Sequence, residues 1–235
     1  MINIFGKNVI YELLKTNLYV EKLYLRDDVY NKDKYIVNKA LDKKIDITVL
    51  NKEKMNNLFK GLNQGYGATI EEIKTYDIHD LIKKGKKQLF VILDQLEDPN
   101  NLGAIMRTCD AFSIDGIIIP NKGNIKITDT VVKVSTGAAF YVPVCFVSNI
   151  NQTIAKLKDA GIWVVGADMD GELNLKDFKY DRSLAIVIGS EGFGIRDLVK
   201  KNCDYIVNIP MTGHVNSLNA SVSAAIILSQ LVINL

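Results

Sequence analysis

Histidine, tryptophan, proline and cysteine are scarce in this chain of 235 residues, which holds 2, 1, 4 and 3 of them. Cys109, Cys145 and Cys203 are odd in number, lie far apart and form no C-x-x-C pair, so neither a disulfide framework nor a thiolate zinc site is indicated. His79 and His214 alone cannot build a multi-histidine metal centre, and no metal is expected. Apolar runs such as "AAIIL" fall far short of the roughly 20 residues a membrane helix needs. Met1 is not followed by a basic stretch leading into an apolar one, and no low-complexity tract argues for disorder. The expectation is a soluble, cytoplasmic protein with no membrane partner.

What is present fits a globular chain with a substantial core: 48% hydrophobic and 24% charged residues, in a length that suits one large or two small domains. The net charge of +2 hides an asymmetry. Residues 1–90 carry 17 Lys and Arg against 12 Asp and Glu, whereas residues 91–235 carry 12 against 15. A basic front half suits a polyanion such as RNA, although a solvated lysine-rich surface gives the same numbers.

The front of the chain alternates helical and extended patterns. Helical spacing covers 8–15, 34–44 and 52–60, and extended runs cover 20–25, 47–50 and "TIEEI" after the glycine-bearing "GLNQGYGA". Residues 1–75 therefore read as a small α/β unit and the lysine-rich 76–88 as a linker. From Leu89 onward the texture changes. "LFVILD", "GIIIP", "YVPVCFV", "IWVVGA", "LAIVIGS" and "YIVNIP" are short apolar runs separated by helical segments, the mark of a parallel sheet covered on both faces. Residues 89–235 read as one α/β domain, with its ligand expected beyond the carboxyl ends of the strands, near the loops after Asp94, Gly189 and Pro210.

Three stretches carry chemistry. In "LDQLEDPNNLGAIMRTCDAF" a helix starting near Pro99 aligns Leu102, Ile105, Met106, Cys109 and Phe112 on one face and sends Arg107 to the other. Alone, such an arginine is as well explained as a solvated charge. "VIGSEGFGI" has glycines at 189, 192 and 194 but lacks both the G-x-G-x-x-G order and the P-loop Lys-Ser/Thr, which argues against a nucleotide-binding oxidoreductase. "IPMTGHVNSLNASVSAA" sets Pro210, Met211, Gly213, Asn216, Ser217 and Asn219 before an apolar helix, and helix capping explains only one of these polar residues.

Taken in order and at this spacing, "NNLGAIMRT", "IGSEGFGI" and "IPMTGHVNSLNASVSAA" resemble the three motifs of the SpoU (TrmH-like) family of RNA ribose 2′-O-methyltransferases in the SPOUT superfamily. The front half, with "IFGKNVIYELL" and "NQGYGA", is similar to the substrate-binding domain of the branch that methylates a guanosine of large-subunit ribosomal RNA. The resemblance implies a C-terminal α/β domain with a trefoil knot, a small N-terminal α/β domain of the ribosomal protein L30e-like kind, a homodimer and S-adenosylmethionine as cofactor. It carries catalytic roles onto Asn101, Arg107, Glu191, Ser217 and Asn219, and cofactor contacts onto Gly189, Ile209, Met211 and Leu218. A tRNA substrate and a non-catalytic RNA-binding role stand as the alternatives.

The implied reaction moves a methyl group from a sulfonium to a ribose 2′-oxygen, so the protein has to align two centres and manage one proton. The family assigns the base to the arginine, yet a guanidinium is protonated at neutral pH and has no free lone pair. Arg107 therefore has two possible roles: transient base beside an RNA phosphate, or anchor of that phosphate.

Overall fold

The computed structural model describes residues 1–121, 125–214 and 217–233. It divides into two compact units, one built from Met1–Ile73 together with Ile127–Tyr141, the other from Lys74–Lys126 and Val142–Leu235. Asn216, one of the loop residues noted above, lies outside the described residues.

In the first unit, β1 (Ile2–Phe5), β2 (Val20–Arg26), β3 (Ile47–Leu50) and β4 (Tyr66–Ile70) form one sheet in the order β1-β4-β2-β3. Alternation in β2 buries Leu23 and Leu25, and Val20 is buried as well because the register shifts between Val20 and Lys22. The helix Lys7–Leu13 adds Val9, Ile10 and Leu13 to the core, and Lys34–Asp42 adds Ile36, Val37 and Ala40. Gly67 in β4 allows no side chain, because a Cβ there would stand 2.3 Å from the Phe59 ring, which packs with Phe5 and Met55. The helix Asp129–Val134 belongs to this unit, with the Lys133 ammonium 4.6 Å from the centroid of the Phe5 ring.

Asp33 organises the helical side of the unit. Its Oδ2 accepts hydrogen bonds from the hydroxyls of Tyr11 and Tyr66, both at 2.7 Å, while Oδ1 caps the Lys34–Asp42 helix at Ile36 N. Burial alone would raise the carboxyl, but these donors outweigh it and hold Asp33 below the usual carboxylate range. Burial, then the same hydrogen bond, pushes the Tyr11 phenol up to about 12.

The second unit holds a seven-stranded sheet of β5 (Leu89–Leu93), β6 (Gly116–Pro120), β7 (Val144–Val147), β8 (Trp163–Ala167), β9 (Leu173–Asn174), β10 (Leu184–Ile188) and β11 (Tyr205–Asn208). The order is β7-β6-β5-β10-β8-β11-β9, and every pairing is parallel. All residues of β5, β6 and β10 are buried, as a sheet covered on both faces requires. Phe90, Ile92, Ala185 and Val187 pack with Ile150, Ile154, Leu157 and Val199 on one face. The alternate residues turn to the other face, where the helices Pro99–Ala111 and Ala220–Ile233 pack against each other. From β5 the chain fills one side of the sheet with β6 and β7, then crosses to β8. The β5/β10 pair is thus the switch point, where crevices form beyond the strand ends.

The stretch read as a linker is packed in its first half. Ile78 and Leu81 are buried in the core of the second unit, Tyr76 N donates to Val144 O at 2.8 Å, and Gln88 Nε2 donates to Leu81 O at 2.9 Å. "TIEEI" is extended only at its start, since β4 begins earlier, at Tyr66.

The raised Tyr11 phenol has a consequence for stability. Below pH about 10 the phenol is neutral both folded and unfolded, so its contribution is complete; as pH climbs from about 10 to about 12 the unfolded phenol ionises first and the contribution is lost. Tyr11→Phe is expected to cost about 1–2 kcal/mol near neutral pH, toward the low end for a hydrogen bond to a charged group. Its melting temperature should also fall less steeply than that of the wild type above pH about 10. Parallel thermal melts of the two proteins at neutral and alkaline pH check both.

Candidate active site

Because every strand of the second sheet points the same way, the segments after β5, β8, β10 and β11 leave from one edge. A cleft of about 390 Å³ opens there. Its apolar wall includes Ile188, Ile209, Leu218 and Ile227, and its polar rim includes Asp168, Ser190, Glu191, Lys200 and Ser217.

The glycine loop shapes the cleft from within. Ser190 and Gly194 exchange two backbone hydrogen bonds, at 3.2 and 3.1 Å, so residues 190–194 close into a tight loop. A Cβ on Gly189 would stand 2.1 Å from Gly194 C and O and 2.5 Å from Ile195 N. Gly189 is thus glycine because its own loop folds back onto it, whatever a ligand requires.

Below the loop, the Asp94 carboxylate has no exposed side-chain surface and accepts four contacts from Arg196: its backbone N at 3.0 Å, Nη2 at 2.6 Å and Nε at 2.9 and 3.2 Å. This pair ties the loop after β5 to the end of the glycine loop, and both partners escaped the reading of the motifs. The only signal was an acidic residue directly after a fully apolar strand.

Three predicted residues meet at Glu191, which lines the cleft. Glu191 Oε1 accepts from Asn101 Nδ2 at 2.8 Å and from Asn219 Nδ2 at 2.6 Å, and Asn101 Oδ1 accepts from Asn219 Nδ2 at 3.0 Å. Asn101 lies in the first turn of the Pro99–Ala111 helix, which Asp98 caps through Asn100 N. Asn219 caps the Ala220–Ile233 helix, its Oδ1 accepting from Ser221 N at 2.9 Å and Val222 N at 3.3 Å.

Ser217, Leu218, Ile209, Met211 and Gly189 line the cleft. Arg107 stands apart. It shares a helix with Asn101 but lies six residues on, about 9 Å along the axis. It is exposed and makes no hydrogen bond or ion pair with the described residues. Residues of the cleft that the motifs did not flag are Asp168 and Lys200, joined by a 3.1 Å ion pair, and Phe193, 90% exposed at the tip of the glycine loop. The cysteines offer no nucleophile: burial raises all three thiols, Cys145 to about 11 and Cys203 to about 12.

Comparison with known proteins bears on this geometry. Residues 88–229 match the model of the SpoU rRNA Methylase family, and residues 3–76 match a model described as RNA 2′-O ribose methyltransferase substrate binding. A Staphylococcus haemolyticus protein assigned to the TrmH family of tRNA/rRNA methyltransferases is 40% identical over 96% of this chain and 92% of its own length. A Bacillus subtilis protein with the same assignment is 38% identical over 96% of this chain and 92% of its own. The fold is similar to that of the SpoU methyltransferase AviRb from Streptomyces viridochromogenes, crystallised with AdoMet, with a TM-score of 0.84 at 23% identity over 98% of this chain and 89% of that one. An AdoMet-bound rRNA methyltransferase from Sinorhizobium meliloti gives 0.83 at 21% identity, over 97% and 85%. With matched models over both parts and relatives along nearly its whole length, the chain belongs to the SpoU family and is an RNA 2′-O-ribose methyltransferase.

Proposed function

We propose that the protein methylates the ribose 2′-hydroxyl of a guanosine in large-subunit ribosomal RNA, in the cytoplasm and as a homodimer. The observation that carries the methyl-transfer part of this reading is the Asn101–Glu191–Asn219 cluster, whose Glu191 lines the apolar cleft, and the substrate-binding match over residues 3–76 supports RNA as the substrate. The cleft suits S-adenosylmethionine, since adenosine pockets combine apolar walls with a few fixed polar groups in volumes of about 300–1,000 Å³. When bound, S-adenosylmethionine supplies an already activated methyl group. Ile209, Met211 and Leu218 would hold the cofactor together with the backbone at Gly189, while Ser217 and the Asn–Glu–Asn cluster would shape the ribose side. Arg107 would anchor an RNA phosphate or take the hydroxyl proton. The trefoil knot that the family implies is part of this reading.

A dimer is favoured by the last helix, which is apolar all round yet leaves Val222, Ile226 and Ile233 46%, 40% and 76% exposed on one face. A second copy of the same helix would cover that face. Ile226→Glu is expected to halve the sedimenting mass while leaving the helical signal in circular dichroism unchanged.

The choice of RNA is tested by transfer of a radiolabelled methyl group to purified ribosomal RNA and tRNA pools, followed by mapping of the modified nucleotide. Label confined to tRNA would overturn the ribosomal assignment. Arg107→Ala should keep cofactor affinity and melting temperature but lose about 10²–10³-fold in methyl transfer, the usual cost of removing one transition-state contact. Partial rescue by Arg107→Lys marks a charge-only role, and none marks a planar two-pronged contact. Gly189→Ala, by contrast, should lower both cofactor affinity and melting temperature, because the added Cβ collides with Gly194; calorimetry with S-adenosylmethionine and a thermal melt read the two effects.

A further inference from the structure

Six of the ten tyrosines fall within the first 73 residues, and three of them form one assembly. Tyr11 and Tyr35 are stacked, with ring centroids 5.5 Å apart and planes 22° from parallel, and Tyr66 meets Tyr11 edge-on at 6.4 Å. Tyr66 is buried, whereas Tyr35 is 50% exposed and its hydroxyl has no partner among the described residues. We propose that the open face of Tyr35 is a stacking platform for an unpaired base of the RNA substrate, an inference that rests on the RNA methyltransferase reading.

The ring is held in advance. Tyr11 cannot swing away, because its hydroxyl is fixed to Asp33, and Asp33 is fixed in turn by Tyr66 and by its cap on Ile36 N. Little conformational freedom is then lost when a flat ligand lands on Tyr35. The apolar faces of the two helices are buried without it: Val9, Ile10 and Leu13 on one and Ile36, Val37 and Ala40 on the other lie in the core. A Tyr half in solvent therefore has area to spare.

Phosphate partners stand alongside. The Lys7 ammonium lies 5.6 Å from the Tyr11 centroid, and Lys34 precedes Tyr35 with its ammonium 5.6 Å from the Tyr30 ring. Neither lysine forms a close ion pair with a carboxylate among the described residues, although the charge of Lys7 is felt by Asp33. Aromatic faces flanked by lysines are what single-stranded RNA binders use, since every base offers a π-face and every linkage a phosphate. Duplex RNA hides its base faces, so the platform selects unpaired nucleotides.

The test uses the full chain and fluorescence anisotropy with a short labelled single strand of mixed sequence, and the same strand in a duplex. Tyr35→Ala should weaken single-strand binding by about tenfold, Tyr35→Leu by a similar factor, and Tyr35→Phe by less than about twofold, while duplex binding barely moves. S-adenosylmethionine affinity should stay at the wild-type value, and melting temperature should fall only by the small loss of the Tyr11 contact. Unchanged single-strand affinity in Tyr35→Ala, equal losses on both probes, or full rescue by leucine would each overturn the platform. A changed sedimentation coefficient with both RNA affinities intact would overturn it in favour of a protein contact. Methyl transfer to ribosomal RNA, measured in parallel, separates the two readings. A wild type that transfers nothing yet binds through Tyr35 removes the catalytic reading and leaves the platform. Transfer and binding both intact in Tyr35→Ala remove the platform alone.

Discussion

One oxygen atom, Oε1 of Glu191, decides how the candidate active site is arranged. It takes amide protons from Asn101 and Asn219, and Ala220 N lies 3.4 Å away. Those residues open two helices that pack against each other, so the carboxylate sits where two helix N-termini converge, a favourable place for negative charge. The residue types follow from the geometry. Asn219 must turn its oxygen to the N–H groups of its own helix, which leaves only its nitrogen for Glu191. That nitrogen also reaches Asn101 Oδ1, so Asn101 must direct its own nitrogen at the carboxylate. An aspartate at either asparagine would set two carboxylates face to face.

The Asp94–Arg196 pair supplies the frame in which this cluster can form. A buried carboxylate is costly unless it is fully hydrogen-bonded, and here one guanidinium and one backbone N–H satisfy it. Arg196 keeps 46% of its side chain exposed, so only one of the two ions gives up its hydration. Asp94 N also donates to Ile188 O at 2.8 Å, which extends the β5/β10 ladder by one bond. The start of the Pro99–Ala111 helix and the glycine loop therefore share a rigid base, and Asn101 and Glu191 come within reach of each other across 90 residues of chain.

Much of the second unit was legible in the sequence for a simple reason. Strands buried on both faces must be continuous apolar runs, and each of the six runs identified contains a strand of the sheet. Of the face read from the period, Leu102, Ile105, Met106 and Cys109 are buried, while Phe112 is half-buried because the helix ends at Ala111, and Arg107 is outside that face. What escaped was set by contacts distant in sequence. β9, only two residues long, has no pattern to detect. β1 is four residues at the start of the chain, recognisable only once β4 is beside it. Residues 76–82 looked like a polar linker because Ile78 and Leu81 are two apolar residues among lysines, yet those two are enough to dock a short helix. No local signal could assign residues 127–141 to the first unit, since the contact of Lys133 with Phe5 is tertiary. Gly189 carries a cofactor contact by resemblance alone; that its own loop, at Gly194, leaves no room for a side chain there is a tertiary fact that no spacing rule reveals.

Charge was the weakest guide, and the structure explains why. The excess of +5 over residues 1–90 resolves into 12 Lys and Arg against 10 Asp and Glu in residues 1–73, with the remainder in the lysine-rich stretch that follows. Part of that remainder is structural: Lys86 pairs with Asp115 at 2.6 Å, and Lys87 lies 5.0 Å from the centroid of the Tyr180 ring. The first unit is thus close to neutral, and phosphate contacts there depend on where single lysines such as Lys7 and Lys34 stand rather than on the total. Phosphate attraction is blind to sequence and pairing, whereas a flat ring held rigid distinguishes an exposed base from a stacked one. A nearly neutral domain rich in fixed tyrosines is therefore better suited to discrimination than to capture, a property that lysine counting cannot detect.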